Sequence, residues 1–373
     1  MYFKAIWHPG WTDQTMIYDS RVDELAIYDA VVVQEVDASG SFTFTMPANH
    51  PYIDKFKFVN EERIEVWEYA EDNTVVDCIF GGILSEVHTD FVGNKTVSFY
   101  GYSICLHNSL MPTYDLSGVR LSDIEWRIGF GIIQSYGSDM NTHYEFSFGD
   151  YGQTVVPGNL YSGQESIYDF LMRLKDLYPE LPYHFLTRYN SDSFTQKFQT
   201  KLFLGSFTEI SSQRIEVGSN LIDFHENILD GDFYTGVVGL GAETEIEHYG
   251  KKMRWYVPDD TYTDDPKIFW NDTLKNTYGQ KPAFMIWDDI TSVNALRNRC
   301  QSFCSSLKLK KELSCSVFDL SKITNTDRLE IGEGVTVRTI RGNSYLTELF
   351  YITKIERNLT DPAQDSITMK NYD

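Results

Sequence analysis

The sequence predicts an α+β, β-rich chain in which two related antiparallel β modules, the second discontinuous, accompany two smaller α/β domains. Three observations predict it. A four-strand pattern near the start returns at the end, a long stretch of different texture separates the copies, and that stretch carries the helix signals.

The first copy runs Ser41-Phe42-Thr43-Phe44-Thr45-Met46, a polar connection, Arg63-Ile64-Glu65-Val66-Trp67, Ile79 to Val87, a Gly93-Asn94 turn and Thr96-Val97-Ser98-Phe99. The second runs Cys315-Ser316-Val317-Phe318-Asp319-Leu320, a polar connection, Gly334-Val335-Thr336-Val337-Arg338, Glu348 to Ile355, a Thr360-Asp361-Pro362 turn and Ser366-Ile367-Thr368-Met369. Each piece alternates apolar and polar residues, as a half-buried strand requires, because successive side chains point to opposite faces. Strand, connection and turn come in the same order in both copies, which distinguishes a duplication from the general likeness of alternating strands.

Residues 1–108 read as the first β module. A small α/β domain follows at 109–204. There Ser122-Asp123-Ile124-Glu125 has capping-box spacing ahead of Ile124, Ile128 and Ile132, with Gly129 and Gly131 weakening the helix. A second box, Ser162-Gly163-Gln164-Glu165, precedes the stripe Ile167, Phe170, Leu171, Leu174 and Leu177, which Pro179 stops. Strand texture returns from Phe207 through Arg214-Ile215-Glu216-Val217 and from Phe233 to Leu240. The C-terminal copy lacks the strands that precede its counterpart, so 205–243 and 313–373 together form the second module. Residues 244–312 are inserted in it, ending in a helix expected from about Ser292 to Leu313. Val293, Leu296, Cys300, Phe303, Cys304 and Leu307 share one face of that helix, with Lys308, Lys310 and Lys311 near its C-terminus. Two similar modules per chain let three copies present six in a ring.

At 373 residues the chain has room for two to four domains, and 42% apolar with 15% aromatic residues supplies β-rich cores. The 54 acidic and 32 basic residues give a net charge of -22, which repels a phosphate backbone and argues against nucleic-acid binding, though an acidic channel wall would let a polyanion slide. The start, Met1 to Pro9, lacks the pattern of a secretory signal, and no apolar run reaches a membrane-spanning length, so a soluble protein without membrane insertion is expected. Cys78, Cys105, Cys300, Cys304 and Cys315 show no framework spacing, which predicts free thiols in a reducing compartment.

No motif supplies a catalytic, metal or cofactor site. Cys300 and Cys304 stand one helical turn apart without matching ligands elsewhere, so a core face is expected. Asp259-Asp260, Asp264-Asp265 and Asp288-Asp289 do not fit a calcium loop and read as solvated acids. His225 and His248 have no readable partner. Gly239-Leu240-Gly241 lacks the third glycine or Gly-Lys ending of a phosphate loop, and Glu243 and Glu245 oppose phosphate.

Gly40 to Pro51, Arg63-Ile64-Glu65-Val66, Phe80-Gly81-Gly82-Ile83-Leu84 and Asp90 to Lys95 resemble the N-terminal part of phage minor tail proteins. Asn220 to Phe224, Asp232 to Gly241 and Tyr351 to Leu359 extend the resemblance. These are the tail-tip hub proteins of siphophages, also called tail-associated lysins or prophage endopeptidase tail proteins. The resemblance implies a homotrimer similar to the baseplate hub of contractile-tailed phages. In it two tube-like β-barrel domains per subunit would form a pseudo-sixfold torus and the other domains a threefold part below. It further implies a virion tail-tip location, assembly in the bacterial host cytoplasm, and the distal tail protein ring, tail tube and tape-measure protein as partners. The channel would open for tape measure and DNA, which passes without specific binding. Such proteins often continue into a receptor-binding or lytic module. The chain stops at Asp373, where a hub would end, which favours a hub without an enzyme or a shortened chain. Two other readings stay open. One is a wall endopeptidase, and the other is a carbohydrate-binding tail module using Trp255, Tyr256, Trp270 and Trp287.

Overall fold

The computed structural model describes residues 1–9, 13–57, 62–136, 160–177, 184–191, 198–205, 207, 209–228, 233–248, 251–261, 264–322, 326–341, 344–361 and 364–371. The chain opens with seven strands, β1 (Tyr2–His8), β2 (Thr15–Asp19), β3 (Tyr28–Glu35), β4 (Ser41–Met46), β5 (Arg63–Tyr69), β6 (Val75–Thr89) and β7 (Lys95–Gly101). There follow α1 (Cys105–Asn108), β8 (Tyr114–Asp115), α2 (Leu121–Tyr136), β9 (Tyr161–Ser162), α3 (Ile167–Leu177), β10 (His184–Ser191) and β11 (Phe198–Gly205). Next come β12 (Ile210–Glu216), β13 (Leu221–Ile228), β14 (Gly236–His248), β15 (Lys251–Tyr256), β16 (Ile268–Trp270), α4 (Asp272–Tyr278), β17 (Pro282–Ile286) and α5 (Val293–Ser306). The chain closes with β18 (Lys311–Val317), β19 (Gly334–Arg341), β20 (Ser344–Asn358) and β21 (Ser366–Lys370).

The predicted echo is a repeated strand order. The first copy pairs as β3-β4-β7-β6-β5-β1-β2, and the second as β13-β18-β21-β20-β19-β12. The two long strands, β6 and β20, each slip register once against their hairpin partner, between Leu84 and Glu86 and between Ile352 and Lys354. At both slips a hydroxyl fills the irregularity. Ser85 Oγ donates to the Ser98 carbonyl at 2.9 Å and Thr353 Oγ1 to the Thr368 carbonyl at 3.2 Å, and Ser98 and Thr368 occupy the same position of their strands. The hairpin tips also match. Asp90 Oδ1 accepts from Val92 N, and Asn358 Oδ1 from Thr360 N, each two residues on.

The copies differ at one edge. β1 lies antiparallel to β5, whereas β12 lies parallel to β19. β2 also runs parallel to β5, because it is antiparallel to β1. The second copy therefore lacks the counterpart of β1, and β12 fills the gap in the sense of β2.

The two copies are not separate sheets. β3 pairs with β20 and joins them into one thirteen-stranded sheet that runs continuously across the two copies. An open edge leaves N–H and C=O groups unpaired, and each copy's edge satisfies the other's. The cores stay distinct. Phe42, Phe44, Phe80 and Phe99 centre the first; Leu313, Val335, Ile352 and Met369 centre the second.

A third core gathers α1, α2 and α3, through Leu106, Ile124, Ile128, Ile132, Ile167, Phe170 and Leu174. It includes Tyr102 and Cys105, so this packing begins ahead of the expected boundary at 109. Both expected capping boxes are displaced. Ser122 lies inside the first turn of α2, and α3 is capped by Ser166, whose Oγ accepts from Asp169 N at 3.0 Å. Ser162 is instead held in β9, opposite Tyr114. Pro179 lies outside the described residues.

The fourth core lies between α5 and the sheet of β14 to β17. β14 pairs with β15, β16 and β17 and not with the large sheet, so the strand contribution to the second copy ends at Ile228 and not at 243. Helix α5 is shorter than expected: Ser292 caps it and Ser306 ends it. Lys308 and Lys310 follow the helix, and Lys311 opens β18.

Gly129 and Gly131 test the packing of α2 with opposite signs. A Cβ at Gly131 would stand 2.8 Å from the Leu110 carbonyl oxygen and 3.1 Å from Pro112 Cδ, whereas one at Gly129 meets nothing within 4 Å. Denaturant unfolding is expected to show Gly131→Ala losing about 1–3 kcal/mol through overpacking. Gly129→Ala is expected to gain up to about 1 kcal/mol by the helix preference of alanine.

Candidate functional site

The feature that unites the chain is the joint between its two β copies. Val31 to Glu35 of β3 lie opposite Asn358 to Lys354 of β20, and the pairing continues through Leu359 N to Ala30 O at 2.8 Å and Val36 N to Thr353 O at 2.9 Å. Directly opposed residues of an antiparallel pair share a face. One face of the joint therefore carries Ala30, Val32 and Gln34 against Leu359, Arg357 and Ile355.

Along that face Leu359, 3% exposed, enters the first core, and Ile355 belongs to the second. Tyr18 Oη donates to the Leu359 carbonyl at 3.4 Å. Arg357 stands between the cores. Burial, followed by the like charge of Arg328, lowers its pKa to about 10. Its guanidinium donates to the Leu329 carbonyl at 3.0 Å and to Gln34 Oε1 at 3.5 Å.

Beside it Arg328, from the second copy, reaches Glu68 at 2.7 Å and Asp77 at 3.2 Å in the first. Burial pushes the Asp77 carboxyl up to about 6; Arg328 pulls it down, Glu330 raises it and Arg357 lowers it. Gln34, Asp77, Cys78, Ile79, Arg328, Glu330, Ile331 and Arg357 line a cavity of about 30 Å³, room for about one water molecule and no substrate. The arrangement fixes the angle between two modules. Breaking one partner of such a buried ionic group leaves an uncompensated charge.

The residues singled out in the sequence do not converge here. Cys300 and Cys304 are buried on the core face of α5, and burial raises both thiols to about 11. The nearby glycines serve packing. A Cβ at Gly239 would meet Cys300 Sγ at 2.4 Å and Trp287 Cζ3 at 2.6 Å. Asp260, Asp264, Asp265, Asp288 and Asp289 are exposed and Asp259 half-buried; Asp260 pairs with Lys267, and Asp288 with Arg254. His225 is exposed on β13, and His248 ends β14 opposite Lys251. Trp287 is core, Trp255 is about one third exposed, and Lys275 covers Trp270 at 4.7 Å, so these rings form no shared platform. Among the described residues no group of three or more His, Cys, Asp or Glu is placed to hold a metal. The joint itself escaped sequence reading: Val31-Val32-Val33 does not alternate, and its partners lie more than three hundred residues away.

Asp77 gives the joint a pH signature. Its folded pKa lies above its ordinary value, so its contribution to stability is fully present below about pH 4 and is lost as pH rises through about 6. Asp77→Asn keeps the site neutral throughout. Its stability relative to the parent chain is expected to rise between pH 4 and pH 7 by on the order of 2 kcal/mol, allowing for screening. Paired denaturant titrations check this, and a difference that does not change with pH contradicts it.

No protein-family model matches this chain, and no curated protein sequence matches it. Solved structures similar over nearly its full length include three tail proteins. They are a tail protein from Neisseria meningitidis MC58 (TM-score 0.59, 10% identity, 99% of this chain and 97% of that one), prophage tail protein gp18 from Listeria monocytogenes EGD-e (0.56, 11%, 99% and 94%), and the 43 kDa tail protein of prophage MuSo2 from Shewanella oneidensis (0.55, 10%, 98% and 97%). The chain has the fold of these tail proteins.

Proposed function

We propose that the chain is a structural tail-tip hub, a homotrimer that adapts the sixfold tail tube and distal tail ring to a threefold tip. The observation that carries this reading is the repeated strand order, with the two copies joined edge to edge. One chain then covers two sixths of a ring, and three chains meet a sixfold partner with six similar modules. Head-to-tail contacts close into rings when the rotation per step divides a full turn. The likeness in fold to tail proteins supports the setting.

In this reading the third and fourth cores form the narrower threefold part, and the channel they surround closes and opens for tape measure and DNA. Its work is assembly and gating, without bond breaking. The net charge of -22 suits a passage along which a polyanion slides without adhering.

Light scattering over a concentration series, with negatively stained views of the same samples, tests the proposal. It predicts the mass of three chains and annular particles with six peripheral lobes. A chain that associates into a dimer with two-fold views contradicts it.

A further inference from the structure

The two copies do not use their edges equally. In the second copy, the far half of β20 holds β21 on one side and β3 on the other. In the first copy, the far half of β6 holds β7 on one side; on the other, Leu84 N donates to the Glu62 carbonyl at 2.8 Å, β10 packs close to β6, and among the described residues no strand pairs with this side of β6 beyond Leu84. The counterpart of β3 in the second copy is β13, which ends the sheet and, among the described residues, pairs only with β18. Among the described residues, the chain thus fills one joint internally and leaves both halves of an equivalent joint without a paired strand.

Register makes the equivalence specific. The matched slips at Ser85 and Thr353 and the matched turns at Asp90 and Asn358 place Val87, His88, Thr89, Asp90 and Phe91 where Ile355, Glu356, Arg357, Asn358 and Leu359 stand. The ladders β4-β7 and β18-β21 align Phe42 with Leu313 and Thr43 with Ser314, which places Phe224 to Ile228 where Ala30 to Gln34 stand.

We propose that β13 of one copy of this chain pairs antiparallel with the far half of β6 of the next, in the register of the internal joint, and that Phe91 is its anchor. His225, Asn227 and Ile228 then lie opposite Asp90, His88 and Val87. The side-chain chemistry fits. On the face corresponding to Leu359, Arg357 and Ile355 the joint matches Phe91 with Phe224 and Val87 with Ile228; on the other it matches Asp90 with His225 and His88 with Asn227. Phe91 is 102% exposed, whereas its counterpart Leu359 is 3% exposed inside the neighbouring copy's core. Ile222, Phe224 and Ile228 on the edge strand β13 are 62%, 39% and 49% exposed. The contact is heterologous, so each chain offers one half at each end.

This rests on the ring reading and adds the strands, register and anchor. The test uses two full-length chains, Asn227→Cys and His88→Cys, whose positions correspond to Val33 and Glu356. Those residues lie between the hydrogen-bonded pairs of the internal joint, where Cα atoms approach to about 4.5 Å and a disulfide can close. The native cysteines are buried, which keeps the background low. On mild oxidation the mixture is expected to give covalent dimer, and either chain alone is not.

Replacing His88→Cys by Val87→Cys turns the thiol to the other face and is expected to lose the product. Adding Phe91→Asp to the His88→Cys chain is expected to reduce it at least tenfold while leaving circular dichroism unchanged. Rings of the parent chain that persist with Phe91→Asp, or that cross-link no better at the matched pair than at the shifted one, overturn this interface and leave the ring reading standing. A parent chain that never associates overturns both.

Discussion

The structure depends on the pairing of β3 with β20. Each β copy leaves one strand edge that its own strands do not cover, and an uncovered edge is a run of unpaired donors and acceptors. The chain resolves this by setting the first copy's edge on the second's long strand, extended by Val36 N to Thr353 O and Leu359 N to Ala30 O. Leu359 and Ile355 commit one face of β20 to both cores, and Arg357 fills the space between. Taking a guanidinium out of water is costly, and hydrogen bonds to Leu329 and Gln34 offset that cost only in this geometry. The joint is therefore rigid in angle as well as in register.

That rigidity accounts for how the inserted part is tolerated. β13 leaves the sheet at Ile228, directly opposite Lys311, where β18 re-enters it. The insertion departs and returns at adjacent points, so it needs no rearrangement of the ladder, and it brings its own core around Val237, Trp287 and Leu296. The third group of elements likewise packs around Ile128 and Phe170, with Ile83 of β6 against it. The β10–β11 hairpin is an exception, since Leu186 lies in the second β core and ties this region to it.

How much of this was legible depended on the range of the interaction that decides each element. Alternation placed β4, β7, β18 and β21, because one buried face fixes a period of two within a few residues. The stripe from Ile167 to Leu174 gave α3, yet its start was misplaced. Ser162 with Glu165 and Ser166 with Asp169 are both plausible caps locally, and the pairing of Ser162 with Tyr114, a distant contact, decides between them. Helix α5 was overextended for a similar reason: Lys308 and Lys310 suit a helix end, but pairing of Lys311 with Ile228 and Asn371 claims the chain for the sheet. Phe91 lies between the strand ending at Val87 and the Gly93-Asn94 turn, where the sequence gives it no role of its own. Only the register that equates it with Leu359 gives its exposure a meaning.

The central claim is that one joint, made once within the chain, is made again between chains. An electron cryomicroscopy reconstruction of the assembled particles, calculated without imposed symmetry, tests it most directly. The account predicts six β modules at nearly equal spacing, with strand density continuous across internal and intermolecular joints alike. Modules that meet at the intermolecular joint through loops or helices, with a break in the sheet, would contradict it.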